Sequence, residues 1–253
     1  MAPVAAAVLP HPPLLVPELA GRAAPELDPL RAACHQALAA VVAAAGLAIV
    51  VGDGPVWGIP EPSAPGSFGP YGTDLQVTLP ALTDLDLPAL PPPARLPELP
   101  LSLAVAAHLL AGLDPPPAHL FAATVPDSLG PGAAAAIGRA LAAATRDGSA
   151  GGGPAGLVVM GDLSACRTER APGAFRAEAA DFDASVSEAL RTGKPGRLLY
   201  MDPAVAADLM VAGRVPLQVL AGAFEDEPPV HGRVLYEDAP YGVGYLVALL
   251  TAP

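Results

Sequence analysis

Three apolar segments of the chain end in the same way, with a proline or a glycine followed by a side chain that can move a proton or bind a cation. They are Leu9-Pro10-His11, Val51-Gly52-Asp53 and Met160-Gly161-Asp162. Each apolar run is short and continuous, which is typical of a buried strand in a parallel sheet. Because ligands of α/β sheets bind at the carboxyl ends of the strands, we expect the histidine and the two aspartates to face one cleft.

An imidazole and two carboxylates permit two kinds of chemistry. Together they suit a hard or borderline divalent cation, and clustered carboxylates also suit proton transfer, which makes Asp53 and Asp162 the candidate catalytic residues. Two structural alternatives remain open for the aspartates, since either could cap a helix and Gly52-Asp53-Gly54 is also a common turn. His11 could be an ordinary surface residue of a proline-rich loop, although the flanking prolines make that loop stiff.

Apolar runs alternate with helical patterns along most of the chain. This predicts an α/β fold, with residues 1–253 forming a single domain around a central, mostly parallel or mixed sheet flanked by helices. Predicted strands cover 4–9, 47–51, 74–79, 120–125, 156–160, 217–223, 232–236 and a last run to residue 250, and predicted helices cover 26–45, 101–113, 132–146, 175–190 and 203–213. A proline-rich surface excursion at 83–100 and a glycine-rich linker at 147–154 interrupt the pattern within the domain.

Composition limits the classes of partner. The 253 residues are 52% hydrophobic and 15% charged, which indicates a folded protein, and the net charge is −12. An acidic chain offers no basic surface for nucleic acid and is repelled by anionic membranes. Cys34 and Cys166 are far apart, and buried free thiols are expected in preference to a disulfide. With no signal peptide and no apolar span of membrane length, we expect a soluble, cytoplasmic protein.

Three segments carry a resemblance to a known family. They are residues 8–17 (VLPHPPLLVP), 158–164 (VVMGDLS) and 236–245 (YEDAPYGVGY). In this order they resemble the LigB-like family, the catalytic-subunit fold of the class III extradiol ring-cleavage dioxygenases, which are oxidoreductases. Enzymes of that family hold a non-haem Fe(II) with two histidines and one carboxylate, and a further histidine acts as acid and base. By this resemblance His11 matches the first metal histidine, and Glu237 is the best match in kind for the carboxylate ligand.

Two histidines that the resemblance implies are missing. The second metal histidine is expected near the end of the second strand, where the chain has Asp53, and the acid/base histidine is expected directly after Ser164, where it has Ala165. His231, which precedes a late strand, is a further candidate metal ligand. The resemblance therefore implies a degenerate metal site, holding Fe(II), another divalent metal or no metal, in a cleft for which Trp57, Ser164 and Tyr241 are the predicted lining residues.

Three functions follow as alternatives. The first is a LigB-like protein that binds a small molecule in the cleft without the family's ring-cleavage chemistry. The second is an active metal-dependent dioxygenase, or a related enzyme, that acts on a small aromatic substrate. The third is a non-catalytic interaction subunit, which needs a partner chain or assembles as a homo-oligomer. Whether the protein is an enzyme, and which small molecule it takes, stay open at the level of sequence.

Overall fold

The computed structural model describes residues 3–80, 82–144, 154–225 and 230–252. The strands are β1 (Ala5–Leu9), β2 (Leu47–Asp53), β3 (Gly58–Pro60), β4 (Pro65–Ser67), β5 (Gln76–Thr78), β6 (Ala94–Leu96), β7 (His119–Val125), β8 (Ala155–Met160), β9 (His231–Asp238) and β10 (Tyr245–Thr251). The α-helices are α1 (Pro17–Ala20), α2 (Asp28–Ala44), α3 (Leu101–Ala111), α4 (Pro131–Ala144), α5 (Glu178–Arg191), α6 (Pro203–Asp208) and α7 (Arg214–Ala223).

Eight of the strands form one mixed sheet in the order β6-β3-β7-β2-β8-β1-β10-β9, and β4 and β5 pair separately. The central strands β7, β2, β8 and β1 are parallel, whereas β10 and β9 continue the sheet antiparallel beside β1. This confirms the predicted α/β fold with a mixed central sheet. Strand β8 lies between β2 and β1, so segments before and after the predicted linker at 147–154 share one sheet. The linker itself, apart from Pro154, lies outside the described residues.

Helices cover both faces of the central sheet. Along each strand successive side chains alternate, so that Val8 and Val159 join the core under α4, α5 and α7, while Leu9 and Met160 join the core under α2 and α3. Burial on both faces explains why these strands read as continuous apolar runs in the sequence. The carboxyl ends of β1, β2 and β8 remain at one edge of the sheet, between the two helical layers.

Helices α4 and α7 pack backbone against backbone at two glycines. A Cβ atom added to Gly138 would lie 2.0 Å from the carbonyl oxygen of Val219, and one added to Gly222 would lie 2.2 Å from that of Ala135. Contacts this short exclude any side chain at either position. The close packing places the start of α7 beside the carboxyl edge of the sheet, where its first residues line a cleft.

The prediction of a strand at 217–223 is wrong, because these residues belong to helix α7. A short apolar run cannot distinguish a buried helix from a buried strand, since both faces of such a helix are apolar. Pro216 lies in the first turn of α7, where a proline is tolerated because its missing N–H needs no partner. The helix predicted at 203–213 likewise ends at Asp208.

Two other predictions place their segments correctly but differ from the structure in the strands that these segments form. The proline-rich segment 83–100 is not only a surface excursion, since its residues 94–96 form β6 and pair with β3 at the edge of the sheet. The strand predicted at 74–79 is the three-residue β5, which pairs with β4 outside the main sheet.

The remaining expectations concern the cysteines and membrane spans. Cys34 and Cys166 are both free and buried, as expected. Burial raises the pKa of the Cys34 thiol to about 12, so this sulfur stays protonated and unreactive. Among the described residues, no helix combines the length and the apolar character needed to cross a bilayer.

Candidate functional site

The structure brings the three predicted strand-end side chains together. Strand β8 lies between β1 and β2, so Asp162 follows the middle strand and the other two residues flank it. The Nε2 atom of His11 lies 3.1 Å from Oδ1 of Asp53, and its Nδ1 atom lies 3.9 Å from Oδ1 of Asp162. The parallel order of the strands therefore forms a carboxylate–imidazole–carboxylate cluster.

The cluster fixes the backbone of His11 but leaves atoms of its side chains without assigned hydrogen bonds. Asp162 accepts a hydrogen bond of 2.8 Å from the backbone N–H of His11, which ties the stiff turn after β1 to the end of β8. The imidazole of His11 is only 4% exposed. Its Nδ1 atom is buried without a hydrogen-bond partner, and the buried Oδ1 of Asp53 has only its contact with Nε2 of His11. Because buried polar atoms are normally paired, this arrangement marks a place where a ligand or water would bind.

Neighbouring elements hold the ends of β2 and β8 in position. The hydroxyl of Ser102, in the first turn of α3, donates a hydrogen bond of 2.6 Å to the backbone oxygen of Asp53. Gly52 has no room for a side chain because a Cβ atom there would lie 2.3 Å from that hydroxyl oxygen. On the other side the N–H of Gly213 donates to the backbone oxygen of Asp162, at 2.8 Å, which ties the start of α7 to the site.

A cleft of about 830 Å³ opens beside this cluster. Asp53 contacts His11 on one side and lines the cleft on the other, and its side chain is 37% exposed. The lining combines a few polar residues with an apolar wall, and its members are Asp53, Gly54, Pro55, Asp127, Ser128, Leu129, Gly130, Pro203, Ala206, Ala207, Met210, Val211, Ala212, Arg214 and Val215. The volume of this cleft lies within the range of small-molecule sites.

Arg214 is a cleft residue that sequence reasoning missed. It is buried at the start of α7, where its guanidinium donates to the backbone oxygens of Asp127 and Leu129 and to the side chain of Gln218. These bonds fasten the loop after β7 to α7. The prediction of a strand at 217–223 concealed this role, because it left Arg214 outside any element, whereas in helix α7 Arg214 lies one turn before Gln218. Asp127 was detectable in principle, since it lies two residues beyond the end of β7, as Asp162 lies two residues beyond the end of β8.

The three residues predicted to line the cleft lie elsewhere. The indole N–H of Trp57 donates to the backbone oxygen of Pro91, in the proline-rich segment. Ser164 is fully buried under α5, and the hydroxyl of Tyr241 donates to Glu26 at 3.0 Å. None of the three is among the cleft-lining residues. The prediction failed because proximity to a strand end along the chain does not determine which side of the sheet a side chain faces.

The two later metal-ligand candidates are not brought to His11. The Glu237 carboxylate accepts hydrogen bonds from Ser187 and Arg191 of α5, at 2.6 and 2.9 Å. His231 begins β9 and pairs with Thr251 of β10. Thr251 in turn pairs with Ala5, the first residue of β1. It therefore lies at the edge of the sheet opposite to the cluster.

The donor set does not fit the iron site that the family resemblance implies. All five histidines of the chain lie in the described residues, and only His11 belongs to the cluster. His35 and His108 lie on α2 and α3, and His119 begins β7 at the opposite edge. Within the described ranges, no group of three or more His, Cys, Asp or Glu side chains could hold a metal ion. A two-histidine, one-carboxylate triad needs a second imidazole, and the end of β2 supplies Asp53 instead.

A second buried carboxylate, Asp183 of α5, organises the segment after β8. It accepts hydrogen bonds from the N–H and the hydroxyl of Ser164, both at 2.9 Å, and from Arg167 at 2.8 Å. Burial raises the pKa of Asp183, while these donors act in the opposite direction. Gly244 passes directly above it, since a Cβ atom there would lie 2.3 Å from the carboxylate. No sequence signal marks Asp183, because an aspartate on a helix normally faces solvent.

The protonation of Asp162 leads to a prediction about stability and pH. Burial raises the pKa of this carboxyl, and Asp53 adds to the rise, whereas His11 opposes it. The folded state then binds this proton more tightly than the unfolded chain does, so the contribution of Asp162 to stability falls as pH rises from 3.8 through the raised pKa. Asp162→Asn keeps an oxygen that can accept the His11 N–H but cannot ionise. As pH rises through this range, we expect the free energy of unfolding of the Asp162→Asn protein to fall less than that of the wild type.

Urea unfolding between about pH 4 and pH 7 measures this difference. The same pair is compared in a His11→Gln background, so that neither protein carries the imidazole beside Asp162. Equal pH slopes for the aspartate and asparagine proteins in that background would contradict the assignment.

Comparison with solved structures agrees with the fold. The chain is similar to the crystal structure of the uncharacterized protein JW3007 from Escherichia coli K12, with a TM-score of 0.63 and 15% sequence identity, over 98% of this chain and 100% of that one. At this identity the likeness concerns the fold alone. No family model matches the sequence, and no curated protein matches it.

Proposed function

We propose that the chain is a divergent LigB-like protein that binds a small organic molecule in the cleft at the carboxyl ends of β2 and β7. The observation that carries this proposal is the position of Asp53, which contacts buried His11 on one side and lines the cleft on the other. The resemblance of residues 8–17 and 158–164 to the LigB-like family supports it, because these segments supply His11 and Asp162. Small aromatic molecules are the ligand class that the resemblance implies.

A second candidate function is proton transfer to or from the bound molecule. The contact between His11 and Asp53 favours it, because Nε2 of His11 lies 3.1 Å from Oδ1 of Asp53, close enough for a proton to pass between them, and Asp53 also lines the cleft. In this function Asp53, at the wall of the cleft, would exchange the proton with the ligand, and Asp162 would hold His11 in place. Deuterium exchange separates the two candidates. Catechol recovered from D₂O without deuterium on its ring carbons is the result expected of a binding protein, and ring-hydrogen exchange that depends on His11 would indicate proton transfer.

A cleft-filling variant tests the proposed binding. Ala207 lines the cleft and is exposed, so Ala207→Trp places an indole in the cavity without disturbing the core. Using catechol as the probe in isothermal titration calorimetry, we expect this variant to lose at least about tenfold in affinity, equivalent to about 1.4 kcal/mol. The free energy of unfolding should change by no more than about 0.5 kcal/mol, as is usual for a surface position.

The matched control lies two residues earlier on the same helix. Val205 is exposed but faces a different groove, between α5 and α6. Val205→Trp should therefore bind catechol as the wild type does. If both variants bind as the wild type does, the ligand lies elsewhere and the proposed site is wrong.

A further inference from the structure

We infer that the groove between α5 and α6 is the contact surface of a homodimer, in which each copy of the chain inserts Tyr200 into the groove of the other. The groove has a volume of about 640 Å³ and shares no lining residue with the cleft, so the inference is independent of the proposed function. Three features of one surface carry it: an apolar recess, an aromatic side chain that projects beside the recess, and two opposite charges in its lining.

The recess is apolar and has a fixed shape. Val186, Leu198 and Met201 line it and also belong to the buried core. Val205 adds an apolar side chain that is 43% exposed. The side-chain amide of Gln218 in α7 donates to the backbone oxygen of Met201 at 3.2 Å, which fastens this segment to the core. A rigid recess of this kind loses little conformational freedom when a partner fills it.

Tyr200 projects from this surface into solvent. Its side chain is 87% exposed, the largest exposed fraction among the bulky apolar and aromatic side chains that the structure describes. The residue ends a 3₁₀ helix (Pro195–Tyr200), and Leu198 and Met201 on either side are buried, so the backbone that carries the ring is anchored. Tyrosine is enriched in protein interfaces, where its ring buries a large area at a low cost in conformational entropy. An anchored ring held in water beside an apolar recess points to burial by another molecule.

The position of the ring and the recess on the same surface favours a second copy of the chain as that molecule. A twofold dimer forms when one patch contacts itself, so the patch must carry both the projecting group and the recess that receives it. Tyr200 lines the groove and projects from it, and one twofold axis therefore brings two rings to two grooves. Two buried aromatic rings supply about 300–500 Å² of the roughly 1,600 Å² that a standard interface buries.

The charges of the groove are complementary to each other. Glu188 of α5 and Arg197 both line the groove and are exposed. Within the described part of the chain Arg197 forms no ion pair, and the Glu188 carboxylate meets only Arg191 of its own helix, at 3.4 Å. That exposed pair contributes little stability, so Glu188 is available to another partner. Across a twofold axis Arg197 of each copy can meet Glu188 of the other, which makes the patch attractive to itself although the whole chain has a net charge of −12.

Sedimentation velocity of the full chain at micromolar concentrations tests the inference, and we expect the wild type to sediment as a dimer. Tyr200→Ser should weaken the dimer at least about tenfold, whereas Tyr200→Phe, which keeps the ring, should retain it. Arg197→Glu and Glu188→Arg should each weaken the dimer by a similar factor, because each sets like charges against one another. An equimolar mixture of these two charge variants should recover the dimer, since the acidic positions of one then meet the basic positions of the other.

Two exposed residues outside the groove provide matched controls. Arg170→Glu makes the same charge change as Arg197→Glu, and Tyr71→Ser removes an exposed tyrosine elsewhere, so both should remain dimeric. Urea unfolding of every variant confirms that its fold is intact. A wild type that stays monomeric would overturn the inference, and so would a dimer that survives Tyr200→Ser and both charge variants. Charge variants that stay monomeric when mixed would contradict the twofold pairing.

Discussion

Replacing Asp183 by alanine should lower the free energy of unfolding by about 3 kcal/mol, measured by urea denaturation. The variant removes the acceptor of three hydrogen bonds, two of them from the fully buried Ser164. Arg167 is 28% exposed and can return to water, so most of the loss comes from Ser164. Its N–H remains buried without a partner, and its hydroxyl keeps only the long contact of 3.5 Å with the backbone oxygen of Ala179. Because Ser164 is two residues from Asp162, we also expect the cluster around His11 to loosen.

Asp181 provides the matched control on the same helix. It is exposed in the first turn of α5, where a carboxylate contributes only a small favourable interaction with the helix dipole. Asp181→Ala should lower the free energy of unfolding by no more than about 1 kcal/mol. Equal losses for the two alanine variants would show that Asp183 does not anchor the segment after β8.

Gly222→Ala should destabilise the protein by about 3 kcal/mol, although alanine is the better helix former. The added methyl group would lie 2.2 Å from the backbone oxygen of Ala135 and 2.5 Å from its Cα atom. Backbone atoms cannot rotate away as a flexible side chain can, so α7 must move from α4. Since Arg214 at the other end of α7 holds the cleft wall, we expect this variant to weaken ligand binding as well.

Gly132, in the first turn of α4, is the control for helix propensity. A Cβ atom there meets nothing within 4 Å, so Gly132→Ala should leave stability unchanged or raise it by up to about 1 kcal/mol. Opposite signs for the two substitutions in urea unfolding are the expected result. A neutral Gly222→Ala would show that α4 and α7 do not pack backbone against backbone in solution.

The core of the candidate site could be predicted from the sequence because it depends on parallel strands. An apolar run that ends in a small residue and a polar one places that polar residue at the carboxyl edge, and neighbouring strands bring such residues together. His11, Asp53 and Asp162 meet for this reason. The mixed α/β sheet followed from the same alternation of strands and helices.

Other parts depend on information that no local pattern carries. Segment 217–223 is apolar apart from Gln218 and is too short to distinguish the period of a helix from that of a strand, and the position of Arg214 was missed with it. Ser164, which follows β8, and Glu237, which lies within β9, both turn their side chains toward α5 instead of the cleft. These outcomes depend on tertiary packing, and a register shift of one residue would reverse them.

The most direct test of the proposed function is a titration of the wild-type protein with catechol, followed through the backbone amide signals in two-dimensional NMR. Our account predicts that the amides of Gly54, Ser128 and Val211, which line the cleft, shift together with a single affinity. Amides of the groove between α5 and α6, such as that of Ser185, should not shift. Shifts confined to that groove, or no shifts at millimolar catechol, would contradict the account.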